Sequence, residues 1–371
     1  MTTPTKLGYR MPAEWEPHEA TWLSWPHDLE TWPKELAQVE DAYLDIIARI
    51  HEGEKVHVLV ENQSAQDYVS KKLKQRSFVK NVFLHQVETD SPWIRDYGPI
   101  FLLSEIASVA SLPRNDVIAS IRRLGWRKAK QSRKLACSTW RFNAWGHKYK
   151  SFEKDNLIPE KIAGFTKAKQ FPVDMVLESG SIDVNGLGSC LATEQCLLNP
   201  NRNPSLGRNE IEQYLAAFLG IRHMIWLHGG IAGDDTDGHV DEVARFVGPK
   251  SIVYASPEDS SNENFDTLQK NLKCLCDARN QKGDCLELIP LPMPRKIQAG
   301  KMELPASYAN FYIANQSVLV PIFDDSNDTK ALGILKDLFP NRNVVGIKAI
   351  PLIYGQGTVH CITQQEPLHE A

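Results

Sequence analysis

The chain has 371 residues, 42% of them hydrophobic and 24% charged, and carries a formal net charge of −4. That length admits two domains or one large repetitive domain with a sizeable core. The near balance of charge excludes a globally basic nucleic-acid binder, and no apolar run approaches the length of a membrane helix.

Seven cysteines, an odd number without framework spacing, fit a reducing compartment. The opening Met1-Thr2-Thr3-Pro4-Thr5-Lys6 lacks the charged-then-apolar pattern of a signal peptide, so a cytoplasmic location is expected. Thr21 to Trp25 reads as a strand that ends in a Pro26-His27-Asp28 turn. Glu35 to Ile50 repeats apolar residues at helical spacing (Leu36, Val39, Tyr43, Ile46, Ile47, Ile50), and Lys55 to Val60 is a buried strand. A helix over Ser64 to Gln75 and a strand over Val79 to Gln86 complete a strand, helix, strand, helix, strand order. The fold class is α/β.

Pro92 to Phe101 is aromatic and charged and carries a Gly98-Pro99 breaker. Residues 105–133 hold a basic helix candidate, Asn115 to Leu124, with Arg122, Arg123, Arg127, Lys128, Lys130 and Arg133 nearby. We read this as a surface insertion with a solvated basic face, and nucleic acid as the lesser reading. Strand character resumes over Trp140 to Gly146. Asn185-Gly186 signals a hairpin between the Met175 to Gly186 and Ser189 to Leu198 segments. Asn209 to Leu219 is a helix and His223 to Leu227 a strand. The acidic run from Asp234 becomes strand by Val247, followed by a strand over Ser251 to Ala255 and a helix over Asn262 to Cys276. Cys274-Leu275-Cys276 is too close for a C-x-x-C motif and reads as incidental thiols. Leu286 to Leu291, Ser307 to Ala314 and Ser317 to Pro321 are further strands, and Asp328 to Leu338 is a helix. Two strands, a helix and a strand recur without strict self-similarity.

The glycines of Tyr354-Gly355-Gln356-Gly357 let backbone approach a small ligand, and the following Thr358 to Gln365 reads as a strand that carries Cys361. A cysteine there is a candidate nucleophile, although a lone thiol in a strand is commonly an inert core residue. In an extended His239-Val240-Asp241 the two polar side chains share one face. Immediate neighbours diverge, so His360 points away from Cys361 and His239 is the better partner. Asp96 and Glu178 are carboxylates beside glycines and aromatics, where a cap or a surface ion pair is the bland alternative. Together these residues ask for a cationic, planar substrate: a guanidinium offers carboxylates a fork of N–H donors, and its carbon needs a strong, aligned nucleophile.

The sequence resembles the agmatine deiminases of the guanidino-group-modifying superfamily, the penteins. The resemblance rests on Met11 to Trp25, Trp93 to Pro99, Trp140 to Tyr149, Glu178-Ser179-Gly180-Ser181-Ile182 with Thr193 to Asn199 and Asn201-Arg202-Asn203-Pro204, Gly233 to Val247, and Gly355 to Pro367. It implies a single domain over 1–371, a five-bladed α/β propeller of ββαβ modules around a central channel, interrupted by the insertion near 105–133. It also implies Cys361 as nucleophile, His239 as acid and base, Asp96 and Asp241 as guanidinium holders, and Trp93, Glu178, Asp235 and Gly357 in the substrate pocket, with Asp235 toward the amine end. The implied reaction converts agmatine to N-carbamoylputrescine and ammonia, with no cofactor or metal. Two departures stand out: Ser179 where many relatives have Gly, and Asp237 where many have Asn. Trp93 and Asp96 have opposite parity, so both line one pocket only if that stretch bends. Alternatives are a peptidyl-arginine deiminase, a metallohydrolase using His239, Asp241, His360 and Cys361, and a noncatalytic small-cation binder. A homo-oligomer is compatible with all of them.

Overall fold

The computed structural model describes residues 2–77, 80–105 and 133–370. The basic helix expected over Asn115 to Leu124 lies outside the described residues. What is described is mixed α/β. The helix Leu36–Ile50 buries Val39, Tyr43, Ile46, Ile47 and Ile50 along one stripe. Each such side chain removed from water contributes about 1.5–3 kcal/mol, which holds this helix against the strands Lys55–Val60 and Ser317–Ile322.

Among the described residues one connection pattern appears in five sheets. An antiparallel strand pair is followed by a helix and then by a strand parallel to the second member of the pair. Strand Ile182–Val184 pairs antiparallel with Ser189–Thr193, the helix Arg208–Leu219 follows, and His223–Leu227 returns parallel to Ser189–Thr193. The pairs Ile100–Glu105 with Arg133–Arg141, Ala244–Phe246 with Ser251–Ser256, and Tyr312–Ile313 with Ser317–Ile322 behave the same way. Their returning strands are Lys169–Val176, Glu287–Pro292 and Asn343–Lys348. In the remaining sheet the C-terminal strand Gln364–Pro367 pairs antiparallel with His18–Ser24, beside which Lys55–Val60 runs parallel. Closing the first and last segments into one sheet places the residues just before Gln364 beside the N-terminal region.

The hairpin at Asn185-Gly186 is present, with Gly186 at φ +69°. Other boundaries move. Of the strand expected over Val79 to Gln86, Val82–Gln86 is formed, and Val79 lies outside the described residues. Strand character over Trp140 to Gly146 stops at Arg141, because Ala144, Trp145 and Gly146 take positive φ in a short helical turn. Of Ser307 to Ala314 only Tyr312–Ile313 is strand. The expected strand geometry of the site segments is corrected in both places. Val240–Glu242 is a short 3-10 helix, and Cys361 lies in a turn that precedes the strand Gln364–Pro367. Among the described residues no helix is long and apolar enough to cross a membrane.

Candidate active site

Trp93 caps the short helix Ile94–Tyr97, in which Asp96 stands three residues further on. That one turn is the bend the parity of Trp93 and Asp96 requires, since residues three apart share a helical face. Both are buried. The Asp96 carboxylate accepts from the indole N–H of Trp145 at 2.9 Å and from the backbone N–H of Gly180 at 3.2 Å.

Gly180 marks where the side chains converge. A methyl on its Cα would stand 2.7 Å from Asp96 Oδ1, 2.7 Å from His239 Nδ1 and 3.1 Å from Asp241 Oδ2. Cys361 Sγ lies 4.0 Å from that same Asp241 oxygen and 3.2 Å from the amide nitrogen of Asn310. Gly357 fills the gap between Cys361 and Trp93: a Cβ there would meet Trp93 Cζ3 at 2.6 Å and Cys361 Cβ at 3.0 Å. Cys361, His239, Asp241 and Asp96, from three separate parts of the chain, therefore surround one small volume.

Their electrostatics follow from burial. Desolvation pushes the Asp96 carboxyl up to about 6, with the nearby Asp241 and Glu178 carboxylates adding to it and His239 opposing. Burial works against a charged His239, yet Asp96, Cys196 and Asp241 raise it well above the ordinary histidine range, favouring an imidazolium. The Cys361 thiol is raised well above its usual range by burial and by Asp241, Glu242 and Asp96. Burial opposes ionisation of Asp241, but its bond to His360 and the cationic partners around it keep the carboxyl below the usual range. Asp241 Oδ1 has no protein partner.

The expected pocket residues divide. Glu178 is buried; its Oε1 accepts from Arg202 Nε at 2.6 Å and its Oε2 has no protein partner, and a carboxylate oxygen of Glu178, the Cys196 sulfur and a ring nitrogen of His239 lie within 4.8 Å of one another. Asp235 lines the outer cleft, of about 1200 Å³, together with Trp93, Trp145, Tyr149, Tyr354 and Gln356. Its carboxylate accepts from the Tyr149 hydroxyl at 2.5 Å, and burial raises it to about 6. The two departures have local roles. Ser179 Oγ donates to the Arg95 carbonyl at 2.7 Å, and Asp237, at φ +66°, accepts from Asn201 and Arg202 and pairs with Lys148. His360 contacts Asp241 through Nδ1 and Glu14 through Nε2, each at 2.7 Å, so both ring nitrogens are occupied and the metal-ligand set containing it is not formed. Two other trios, Glu178, Cys196, His239 and Asp241, Glu242, Cys361, bring possible ligand atoms within 4.8 Å of one another.

Sequence reasoning missed Glu14, Trp145 and Asn310. Their roles depend on partners tens to hundreds of positions away, and none carries a local spacing signal.

A model of the Porphyromonas-type peptidyl-arginine deiminase family matches residues 10–367. The chain belongs to that family. It is 33% identical over 389 residues to the agmatine deiminase of Ectopseudomonas mendocina (strain ymp), covering 99% of this chain and 97% of that protein. The agmatine deiminase of Enterococcus faecalis superposes with a TM-score of 0.86 at 30% identity, over 99% of this chain and 98% of its own. A C. jejuni agmatine deiminase with substrate bound gives 0.81 at 29% identity, over 97% of each chain. Membership of this family, rather than a metallohydrolase, accords with a site built from a thiol, an imidazole and two carboxylates.

Proposed function

We propose that this chain is an agmatine deiminase, a hydrolase of the guanidino C–N bond that yields N-carbamoylputrescine and ammonia. The observation that carries the reading is the convergence of Cys361, His239, Asp96 and Asp241 around Gly180. Full-length similarity to agmatine deiminases supports the substrate.

In this reading Asp96 and Asp241 accept N–H bonds from the planar guanidinium and hold its carbon against Cys361. An empty, acidic, buried site disfavours a thiolate, and the arriving cation offsets those carboxylates, so substrate binding and thiol ionisation reinforce each other. The thiolate attacks the carbon to form a tetrahedral adduct. His239 protonates the departing nitrogen, ammonia leaves, and an amidino-thioether remains. Neutral His239 then takes a proton from water as its oxygen attacks the same carbon. Collapse expels the thiolate and leaves the urea. Trp93 walls the guanidino end, Gly357 permits the close approach, Glu178 lies beside His239 in the pocket, and Asp235 faces the amine. The substrate's own charge serves where another enzyme would use a metal, and no cofactor enters the scheme.

The same reading takes the described chain as one catalytic domain whose five repeated sheets close around the site as a propeller, interrupted by the insertion near 105–133 and located in the cytoplasm. Acid quenching during turnover tests the chemistry. A mass increase equal to the amidino group and its tail, mapping to Cys361 and absent in Cys361→Ser, is expected. An active Cys361→Ser variant overturns the assignment.

A further inference from the structure

Glu14 and His360 are 346 positions apart in sequence, yet Glu14 Oε2 stands 2.7 Å from His360 Nε2. On the other side of the ring, Nδ1 stands 2.7 Å from Asp241 Oδ2. All three side chains are buried. A neutral imidazole carries one N–H, so one of these contacts would then set a ring lone pair against a carboxylate oxygen at hydrogen-bond distance. Both contacts are satisfied only when each contains a proton.

The surroundings leave Glu14 ionised. Its Oε1 accepts from the Ile313 backbone N–H at 2.8 Å and lies 3.0 Å from Arg245 Nη2, while Arg95 Nη2 is 3.6 Å from Oε2. Burial opposes the charge, but Arg245, His360 and Arg95 outweigh it and hold the carboxyl well below the usual range. The ring is fixed through its backbone as well: His360 N–H donates to Asn310, and its carbonyl accepts from Arg95 Nε at 3.2 Å. Only one oxygen of Asp241 is engaged by this arrangement. The other is the one without a protein partner.

We propose that Glu14 and His360 form a relay that positions Asp241, with His360 donating from both ring nitrogens, tying back Oδ2 and presenting Oδ1 to the substrate guanidinium. This rests on the assignment of Asp241 as a guanidinium holder. Neither Glu14 nor His360 touches substrate in this arrangement, so both are positioning residues. The charges that face Asp241 are His239 and Glu242 from its own segment, His360 and Cys361 from the C-terminal turn, Arg95 and Asp96 from Ile94–Tyr97, and Arg245 from Ala244–Phe246. Among the described residues, His360 alone of these groups makes an N–H···O hydrogen bond to the Asp241 carboxylate, at 2.7 Å.

The test compares full-length His360→Gln, Glu14→Gln, the double variant and Asp241→Asn, with active sites counted by stoichiometric alkylation of Cys361. Per active site, His360→Gln is expected to lower kcat/KM about 10- to 100-fold, with a raised KM and an acid limb moved to higher pH. The double variant is expected to lose no more than His360→Gln alone, because Glu14 acts through the ring. Wild-type kcat/KM and pH profile per site in His360→Gln, with Asp241→Asn inactive, overturns the relay and leaves the proposed reaction standing. Turnover by Asp241→Asn overturns the guanidinium assignment and the relay with it. If His360→Gln does not fold, 15N-histidine spectra of the wild type decide: the ring signals that respond to Glu14→Gln should show protons on both nitrogens, and a single N–H overturns the proposal.

Discussion

Asn310 donates an amide N–H to the sulfur of Cys361 across 3.2 Å, while its carbonyl oxygen accepts from Thr358 Oγ1 at 2.6 Å and from the backbone N–H of His360 at 3.0 Å. One side chain thus fixes the turn on both sides of Cys361 and directs a donor at the sulfur, which must become negative under the proposed function. In a site whose carboxylates push the thiol upward, that donor acts in the opposite sense. Asn310→Asp exchanges the donor for a further anion at the same distance. We expect the alkylation of Cys361 by a neutral reagent at pH 8 to slow by at least about tenfold, equivalent to a pKa change of about one unit or 1.4 kcal/mol. Wild-type alkylation kinetics would contradict this role for Asn310.

Under the proposed function Asp96 sets the acid side of the pH profile. It holds a guanidinium only as a carboxylate, and burial raises its carboxyl to about 6. Therefore kcat/KM, which reports the free enzyme, should fall as pH drops below about 6. Its effect on stability has the opposite sign. The folded chain keeps this proton where the unfolded chain has lost it, so the stability it contributes is full below about pH 4 and is lost as pH rises through about 6. Activity and stability should therefore diverge between pH 4 and 6, measurable by initial rates and thermal melts in the same buffers. An acid limb that stays near 4 would remove Asp96 from this role.

Asp155 separates the stability effect from catalysis. Its Oδ1 accepts from the backbone N–H groups of Asp90 and Ser91, and Oδ2 accepts from Ser91 Oγ at 2.8 Å, yet desolvation dominates and raises it to about 7. Asn can keep both backbone bonds and donate to Ser91 Oγ instead. Stability lost by the wild type between about pH 4 and 7 should be absent in Asp155→Asn. The variant should thus gain on the order of 2–4 kcal/mol relative to wild type on moving from pH 5 to pH 8. Parallel denaturant titrations at the two pH values check it.

Gly180 has no space for a side chain. An added methyl meets oxygens of Asp96 and Asp241 and a nitrogen of His239 at 2.7–3.1 Å, so Gly180→Ala must displace the atoms that carry the chemistry. A displacement near 1 Å commonly costs about a hundredfold in rate, and we expect at least that loss in kcat/KM with a cooperative melt retained. Near-normal turnover would mean that the three groups do not act together.

The regular elements were legible where apolar pattern and burial coincide. Lys55–Val60, His223–Leu227 and Asp328–Leu338 occur within the expected limits, because continuous strand runs and a helical stripe leave little choice. The candidate residues Cys361, His239, Asp96 and Asp241 do come together, but not by the expected geometry. His239 and Asp241 do face one volume, but through a 3-10 turn rather than the two-residue period of a strand. Cys361 is in a turn because the ladder to His18–Ser24 begins only at Gln364. His360 does not diverge from Cys361 as an extended strand would require: in the turn both side chains reach Asp241 Oδ2, His360 at 2.7 Å and Cys361 at 4.0 Å, and the far side of the His360 ring meets Glu14. Glu14 and Asn310 gave no signal, since buried polar partners are chosen in space and leave no period in the sequence.

Selectivity turns on Asp235. Its carboxylate, held by Tyr149 at the rim of the cleft and raised to about 6, is an anion at neutral pH. Agmatine carries a cation at each end, so under the proposed function its amine meets this anion while its guanidinium lies between Asp96 and Asp241. Free arginine adds a carboxylate beside that amine. The nearby Lys148 is already paired with Asp237 Oδ1 at 2.7 Å and donates to the Asp235 carbonyl, so it is poorly placed to compensate. A like charge in a partly closed site costs the wrong ligand several kcal/mol, and discrimination on the order of a hundredfold or more follows. A blocked arginine peptide is opposed by bulk, because Trp145, Tyr149, Tyr354 and Gln356 crowd the same cleft. Agmatine should therefore give the highest kcat/KM of the three, and Asp235→Asn should raise its KM and narrow the preference over arginine while leaving kcat little changed. Equal or better turnover of arginine or of the peptide by the wild type would overturn the substrate assignment, and the acid-trapped Cys361 adduct would then identify which guanidino compound the site accepts.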